Sequence, residues 1–134
     1  MAAAVTWGIV YTIDQKVLRG ASPFALLFVD SIITAIILLP VVFIERHSLS
    51  SLSNTSPKTW LLIIASVAFA ALANYFIFSS IKLIDADHAS IIEIAYPFFV
   101  IFFSYFAFAE TPNLYFILGS ILIFCGSALV IFFK

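Results

Sequence analysis

Residues 89–109 read ASIIEIAYPFFVIFFSYFAFA, an apolar segment whose only charged side chain is Glu93. A helix of 21 residues crosses a hydrocarbon core of about 30 Å, since each residue adds about 1.5 Å. The apolar side chains favour insertion by about 3 to 7 kcal/mol in total, whereas one central charge costs about 3 kcal/mol. The segment is therefore predicted to be a transmembrane helix that inserts despite its carboxylate.

Glu93 is the first candidate for binding a substrate or a coupling ion. An ionisable side chain inside a membrane usually belongs to a substrate, ion or proton site. Its neighbours Ile91, Ile92 and Ile94 predict that it is buried. Pro97 lacks the N–H that would bond to the Glu93 carbonyl, so it is predicted to kink the helix there. The acid and the loosened backbone thus fall on the same turn.

The composition predicts an integral, multi-pass membrane protein in contact with lipid. Hydrophobic residues make up 64% of the chain and charged residues 10%, and the mean hydropathy is +1.21, which leaves too little polar surface for a soluble globule.

A net charge of -1 disfavours a nucleic-acid partner. The lone Cys125 is predicted to be a packing residue. No zinc, P-loop or nucleophile spacing occurs in the sequence, so neither a metal, a cofactor nor enzymatic activity is predicted.

The predicted fold is an all-α bundle of five transmembrane helices that forms a single domain, residues 1–134. The predicted spans are residues 2–19, 23–44, 59–83, 89–109 and 114–133. The first span is interrupted by Asp14 and Lys16, so a helix lying at the membrane interface is its alternative. The long loop, residues 48–58, is rich in serine.

Charged residues near these spans gather toward one membrane face, which predicts a polar vestibule on that side. They are Asp14, Lys16, Asp30, Lys82, Asp85, Asp87, His88 and Glu93. Asp30 lies about two turns inside its span, where a carboxylate either pairs with a cation or takes up a proton. Asp14, Lys16 and Asn74 are further candidates. Lys16 could instead extend to the interface, and Asn74 could instead bond to a neighbouring helix.

The last span carries a pattern of small residues. Gly119 and Gly126 recur at an interval of one heptad, as do Ser120 and Ser127. Small side chains let membrane helices approach closely, because lipid supplies no hydrophobic drive between them. These four residues are predicted to pack against another helix, within the chain or across a dimer.

The sequence resembles the EamA-type half-domain of the drug/metabolite transporter superfamily over nearly its whole length. The stretch TWGIVYTIDQKVLRGASPF, residues 6–24, covers most of the first span and reaches the start of the second, and its Trp7-Gly8 pair is followed by Lys16 as in that family. The fourth span carries Pro97 and closes on Ala109-Glu110-Thr111. Gly119 and Gly126 match the paired glycines of the family's fifth span. Two positions depart from the family pattern: Asp30 stands where many members have Arg, and Tyr96 stands where many have an acid before the proline.

The resemblance implies a fold and a function. The family's full form has ten spans in two inverted halves and moves small metabolites by alternating access, and only one half is present here. The chain is expected to be a half-size transporter of a small metabolite or drug-like solute, coupled to protons or cations through Asp30 and Glu93. A non-transporting partner subunit, or a fragment of a ten-span carrier, is the alternative.

The expected assembly is a homodimer, with its two copies inverted, or a paired half-transporter. Two copies inserted the same way cannot reproduce inverted halves if each has an odd number of spans. Four Lys or Arg residues fall on one predicted side and two on the other, a small bias that is compatible with insertion in both orientations. The prokaryotic plasma (inner) membrane is the expected location.

Overall fold

A computed structural model describes residues 1–45, 50, 55–109 and 111–133. These residues form helices and turns without a strand among them, which confirms the predicted all-α class. The helices are α1 Ala2–Leu18, α2 Pro23–Ile44, α3 Pro57–Ile84, α4 Ala86–Glu93, α5 Tyr96–Phe108 and α6 Leu114–Phe132. The chain divides into two compact units, a first of Met1–Gln15 with Ser80–Lys134 and a second of Lys16–Ser79.

Four segments are long and apolar enough to cross a membrane, which makes the chain an integral multi-pass membrane protein. They are Pro23–Ile44, Pro57–Ile84, Ala86–Phe108 and Leu114–Phe132. At most 11% of the apolar window of any of them is buried within the chain. Helices that are apolar all round and exposed require lipid or another protein against them.

Helix α1 does not meet the same requirement of length and composition. Its 17 residues extend about 26 Å at 1.5 Å per residue, short of a core of about 30 Å. It also carries Asp14 and Lys16 in its second half. The fifth span and the inverted-repeat architecture therefore stay predictions.

Helix α2 begins where its sequence predicts. Ser22 is its N-cap, and the Ser22 hydroxyl accepts a hydrogen bond from the Ala25 N–H at 3.1 Å. Pro23 follows at the first helical position, where the N–H that proline lacks would have no partner within the helix. Helix α2 covers the same residues, 23–44, as the predicted second span.

The predicted span 89–109 is two helices with a turn between them. Helix α4 begins at Ala86, earlier than predicted, because the Asp85 carboxylate accepts the His88 N–H at 2.9 Å and caps the helix. It ends at Glu93, and after the turn at Ile94 and Ala95, α5 begins at Tyr96. Pro97 is the second residue of α5, a position that tolerates a missing N–H.

The break leaves a backbone carbonyl of α4 without its helical donor. The Ala95 N–H bonds to the Ile92 carbonyl at 3.2 Å, so it does not serve the Ile91 carbonyl four residues back. The hydroxyl of Ser127 in α6 lies 2.8 Å from the Ile91 carbonyl and 3.0 Å from the Ile123 carbonyl of its own helix. Hydroxyl groups of neighbouring helices are a usual way to satisfy a broken membrane helix. Ser127 therefore supplies the donor that the Ile91 carbonyl lacks at the break.

Helix α6 packs against both α4 and α5 in the first unit. The ring of Phe124 contacts Phe98 and Phe99, with ring centroids 5.0 and 6.4 Å apart, in the tilted and edge-on geometries that aromatic pairs prefer. On the same helix, Ser120 and Ser127 are only 3% and 4% exposed. The serine part of the small-residue pattern is thus buried within the chain.

We predict that Ser127→Ala lowers the free energy of unfolding by about 0.6 to 2 kcal/mol, the range of hydrogen bonds between membrane helices. The matched control is Ser120→Ala. Ser120 is equally buried, but its hydroxyl donates to Ile117 of its own helix at 2.9 Å. Unfolding by SDS titration in detergent micelles measures both variants. Equal losses in the two variants would show that the bond to Ile91 adds nothing specific.

Candidate functional site

A cleft of about 550 Å³ lies within the first unit, between α1 and the broken α4–α5 segment. Its lining residues are Ala4, Trp7, Gly8, Tyr11 and Thr12 of α1, Ala86, Asp87, Ser90, Ile91 and Glu93 of α4, Ile94 of the turn, and Tyr96 of α5. The volume falls within the range of about 300 to 1,000 Å³ that is usual for small-molecule sites. It is therefore large enough to be a site for a small solute.

One face of α1 forms a wall of this cleft. Ala4, Trp7, Gly8 and Tyr11 follow one another at intervals of three, one and three residues, which places them on one side of a helix. The rings of Trp7 and Tyr11 are in contact, with centroids 5.4 Å apart. A Cβ atom added to Gly8 would meet nothing within 4 Å, so the glycine keeps this wall open between larger side chains.

Glu93 is held in the cleft by Tyr11. The Tyr11 hydroxyl donates a hydrogen bond to Glu93 Oε2, joining α1 to the last residue of α4. Hydrogen bonds to an ionised carboxylate are about twice as strong as those between neutral groups. Tyr11 is only 8% exposed, so its ring is fixed by packing and the bond orients the carboxylate.

Within the single chain, apolar neighbours do not enclose Glu93, so that prediction is wrong. Glu93 is exposed and lines the cleft, and its neighbours Ile91 and Ile94 are themselves 38% and 54% exposed. The physical reason is the end of α4: after Glu93 the chain turns and restarts as α5, so no further helical turn covers the carboxylate. The acid does lie beside a helix break close to Pro97, as the sequence predicts.

Asp14 has the opposite environment. It lies one turn after Tyr11 on α1, is 8% exposed, and is not among the residues that line the cleft. Lys16, Asp30 and Asn74 belong to the second unit; Lys16 and Asp30 are exposed and Asn74 is half-buried. Their roles as coupling or substrate residues stay predictions.

Sequence reasoning missed Tyr11 and Tyr96 as site residues. The helical spacing of Trp7, Gly8 and Tyr11 could have indicated one face of α1, and Tyr11 carries a hydroxyl on that face. The sequence marks Tyr96 only as the residue before Pro97. What the spacing could not indicate is which helix this face meets, since the Tyr11–Glu93 pair is separated by 82 positions in the chain.

An aspartate–histidine pair lies at the start of α4. The Asp85 carboxylate is 2.8 Å from His88 Nδ1 and also accepts the His88 N–H, so these residues close the first turn of the helix. Over the described part of the chain, no group of three or more His, Cys, Asp or Glu side chains is placed to hold a metal ion. Glu110 lies outside the described residues.

We predict that Tyr11→Phe lowers the free energy of unfolding by about 1.5 to 3 kcal/mol, the usual value of a hydrogen bond to a charged group. The matched control is Tyr115→Phe, because Tyr115 is 81% exposed and its hydroxyl has no partner among the described residues. An exposed substitution of this kind changes stability by at most about 0.5 kcal/mol. Denaturant titration in micelles, followed by circular dichroism, measures both. If Tyr11→Phe matches its control, the hydroxyl does not hold Glu93.

Comparisons with known proteins give one result. Neither the curated proteins nor the solved structures provide a match. The EamA-like transporter family matches residues 1–132, a range that contains all the described helices and all the residues of the cleft. This match agrees with the resemblance carried by Trp7, Gly8, Pro97, Gly119 and Gly126. The chain belongs to the EamA-like transporter family.

Proposed function

We propose that this chain is a half-size transporter, a single EamA-like domain that moves a small metabolite or drug-like solute across the membrane by alternating access. The observation that carries the proposal is a carboxylate, Glu93, held by Tyr11 on the wall of a solute-sized cleft at a helix break. Discontinuous helices form the substrate and ion sites of many secondary transporters, because their free ends offer charge and backbone groups. Family membership supports the same class of function.

The position of Glu93 supports coupling to protons or another cation. It is the last residue of α4, where the helix dipole places partial negative charge. A bound proton or cation reduces the repulsion between the Glu93 carboxylate and this partial negative charge. Asp30, about two turns into α2, is proposed as the second coupling carboxylate on sequence grounds.

The Tyr11–Glu93 bond offers a way for protonation to change the structure. An ionised carboxylate only accepts hydrogen bonds, whereas a protonated carboxyl group can also donate one. Gain of a proton by Glu93 therefore weakens the charge-assisted bond that joins α1 to the end of α4. This is the local event that we propose to accompany alternation between the two access states.

We predict that Glu93→Gln abolishes uptake driven by a pH gradient, because glutamine cannot exchange a proton, while solute exchange continues in part. The purified protein in liposomes is first screened by counterflow of amino acids, nucleosides, sugars and cationic dyes, and the best solute is used. Glu45→Gln at the end of α2 is the matched control and keeps the driven uptake. Driven uptake that keeps its full response in Glu93→Gln contradicts the assignment.

We further propose that the working unit contains two copies of the chain. Gly119 and Gly126 have nothing within 4 Å of an added Cβ, so the glycine side of α6 is open for a second helix to approach. The family's repeat architecture also places its site between two halves. The inversion of the two copies depends on the number of spans and stays a prediction.

Gly126→Leu is expected to weaken the dimer by about tenfold in its dissociation constant, because the leucine holds the two backbones apart. Ala107→Leu adds similar bulk at an exposed position of α5 and serves as the control. Sedimentation equilibrium in detergent measures the dimer fraction of each variant. Equal behaviour of the two variants would mean that the glycine side of α6 faces lipid.

A further inference from the structure

We propose that the cleft binds an organic cation, held by the Glu93 carboxylate and by the ring faces of Trp7 and Tyr96. This inference rests on the proposed function, since it names the class of solute. It comes from three features of the lining: the sign of its charge, its exposed aromatic surface, and the hydrogen-bonding groups that remain available to a ligand.

The charge of the lining is negative. Asp87 and Glu93 are its acids, and none of the residues that line the cleft is basic. The C-terminal end of α4, at Glu93, adds partial negative charge from the helix dipole. A cation entering the cleft relieves the repulsion between these groups, whereas an anion increases it.

The aromatic surface suits a positive charge. Trp7 is 51% exposed and Tyr96 is 60% exposed, and both line the cleft together with Glu93. Ring faces attract ammonium and other organic cations, with Trp the strongest of the aromatic side chains. Tyr11, which is nearly buried, instead uses its hydroxyl to position the carboxylate.

The hydrogen-bonding groups favour the same ligand. Three hydroxyl groups of the lining are already donated: Tyr11 to Glu93, Thr12 to the Gly8 carbonyl at 2.8 Å, and Ser90 to the Asp87 carbonyl at 2.9 Å. In contrast, Glu93 Oε1 accepts no hydrogen bond from the described residues. The lining also keeps two donors, the Trp7 indole N–H and the Tyr96 hydroxyl. Its acceptors, however, are the charged carboxylates of Glu93 and Asp87, so the cleft suits an ammonium donor better than an anion.

The test compares three ligands of similar size that differ in charge: benzyltrimethylammonium, benzyl alcohol and phenylacetate. The sequence has 2 Trp residues, so a Trp60→Phe background leaves Trp7, on the cleft wall, as the only indole. Titration of its fluorescence in lipid nanodiscs gives each dissociation constant. We expect the cation to bind at least about tenfold more tightly than the alcohol or the carboxylate.

Variants of the two proposed contacts sharpen the result. Glu93→Gln is expected to weaken cation binding by about tenfold, and Tyr96→Leu by about three- to tenfold, whereas Tyr96→Phe keeps the ring and most of the affinity. Tyr115→Leu, on the exposed surface of α6, is the control and leaves the affinity unchanged. If Glu93→Gln or Tyr96→Leu does not fold, the three-ligand comparison on the parent protein and the Tyr96→Phe variant decide.

Equal binding of the three ligands, or cation binding that Glu93→Gln leaves unchanged, overturns the inference. This failure differs from failure of the proposed function, which is measured as transport in liposomes. Driven uptake of a neutral or anionic solute without selective cation binding sinks the inference and leaves the transporter proposal intact. Selective cation binding without any uptake contradicts the transporter proposal and leaves the inference about the ligand intact.

Discussion

The hydrogen bond from Ser127 to the Ile91 carbonyl meets the constraint on which the first unit depends: a backbone carbonyl within a membrane must find a donor. Pro97 offers no N–H to the Glu93 carbonyl, and the Ala95 N–H turns to Ile92. Without a hydroxyl from α6, the Ile91 carbonyl would lose its partner at a cost of about 1 to 3 kcal/mol. The bond therefore lets α4 end at Glu93 while it stays packed on α6.

The end of α4 in turn determines the chemistry of the cleft. Because the helix stops at Glu93, the carboxylate stands at a helix terminus beside open space, and Tyr11 of α1 can reach it. The hydroxyl groups of Thr12 and Ser90 donate their hydrogens to backbone carbonyls of their own helices, so these hydrogens are not available to a ligand. The result is a cleft with acceptors, exposed rings and negative charge. These properties support both cation or proton coupling and an organic cation as the solute.

The two sets of small residues on α6 have different surroundings, although they are adjacent in sequence. Ser120 and Ser127 are buried, and Ser127 bonds to α4. Gly119 and Gly126 lie about 100° further round the helix, where an added Cβ would meet nothing within 4 Å. One small-residue edge of α6 is buried inside its own chain and the other edge is open. The open edge is where we propose that a second copy packs.

The sequence by itself determined the class of the protein, most helix bounds and the family. Composition alone requires a membrane, Ser22 with Pro23 starts α2, Pro97 breaks the fourth span, and the motif residues identify the EamA resemblance. These are local or compositional properties, so no knowledge of neighbouring helices is needed. Only the tertiary structure decided that Tyr11 meets Glu93, that Ser127 meets Ile91, and that Asp14 is buried while Glu93 is open. The physical reason is that helices apolar on every side carry no pattern that marks the face turned to protein, because lipid and protein interior are equally apolar.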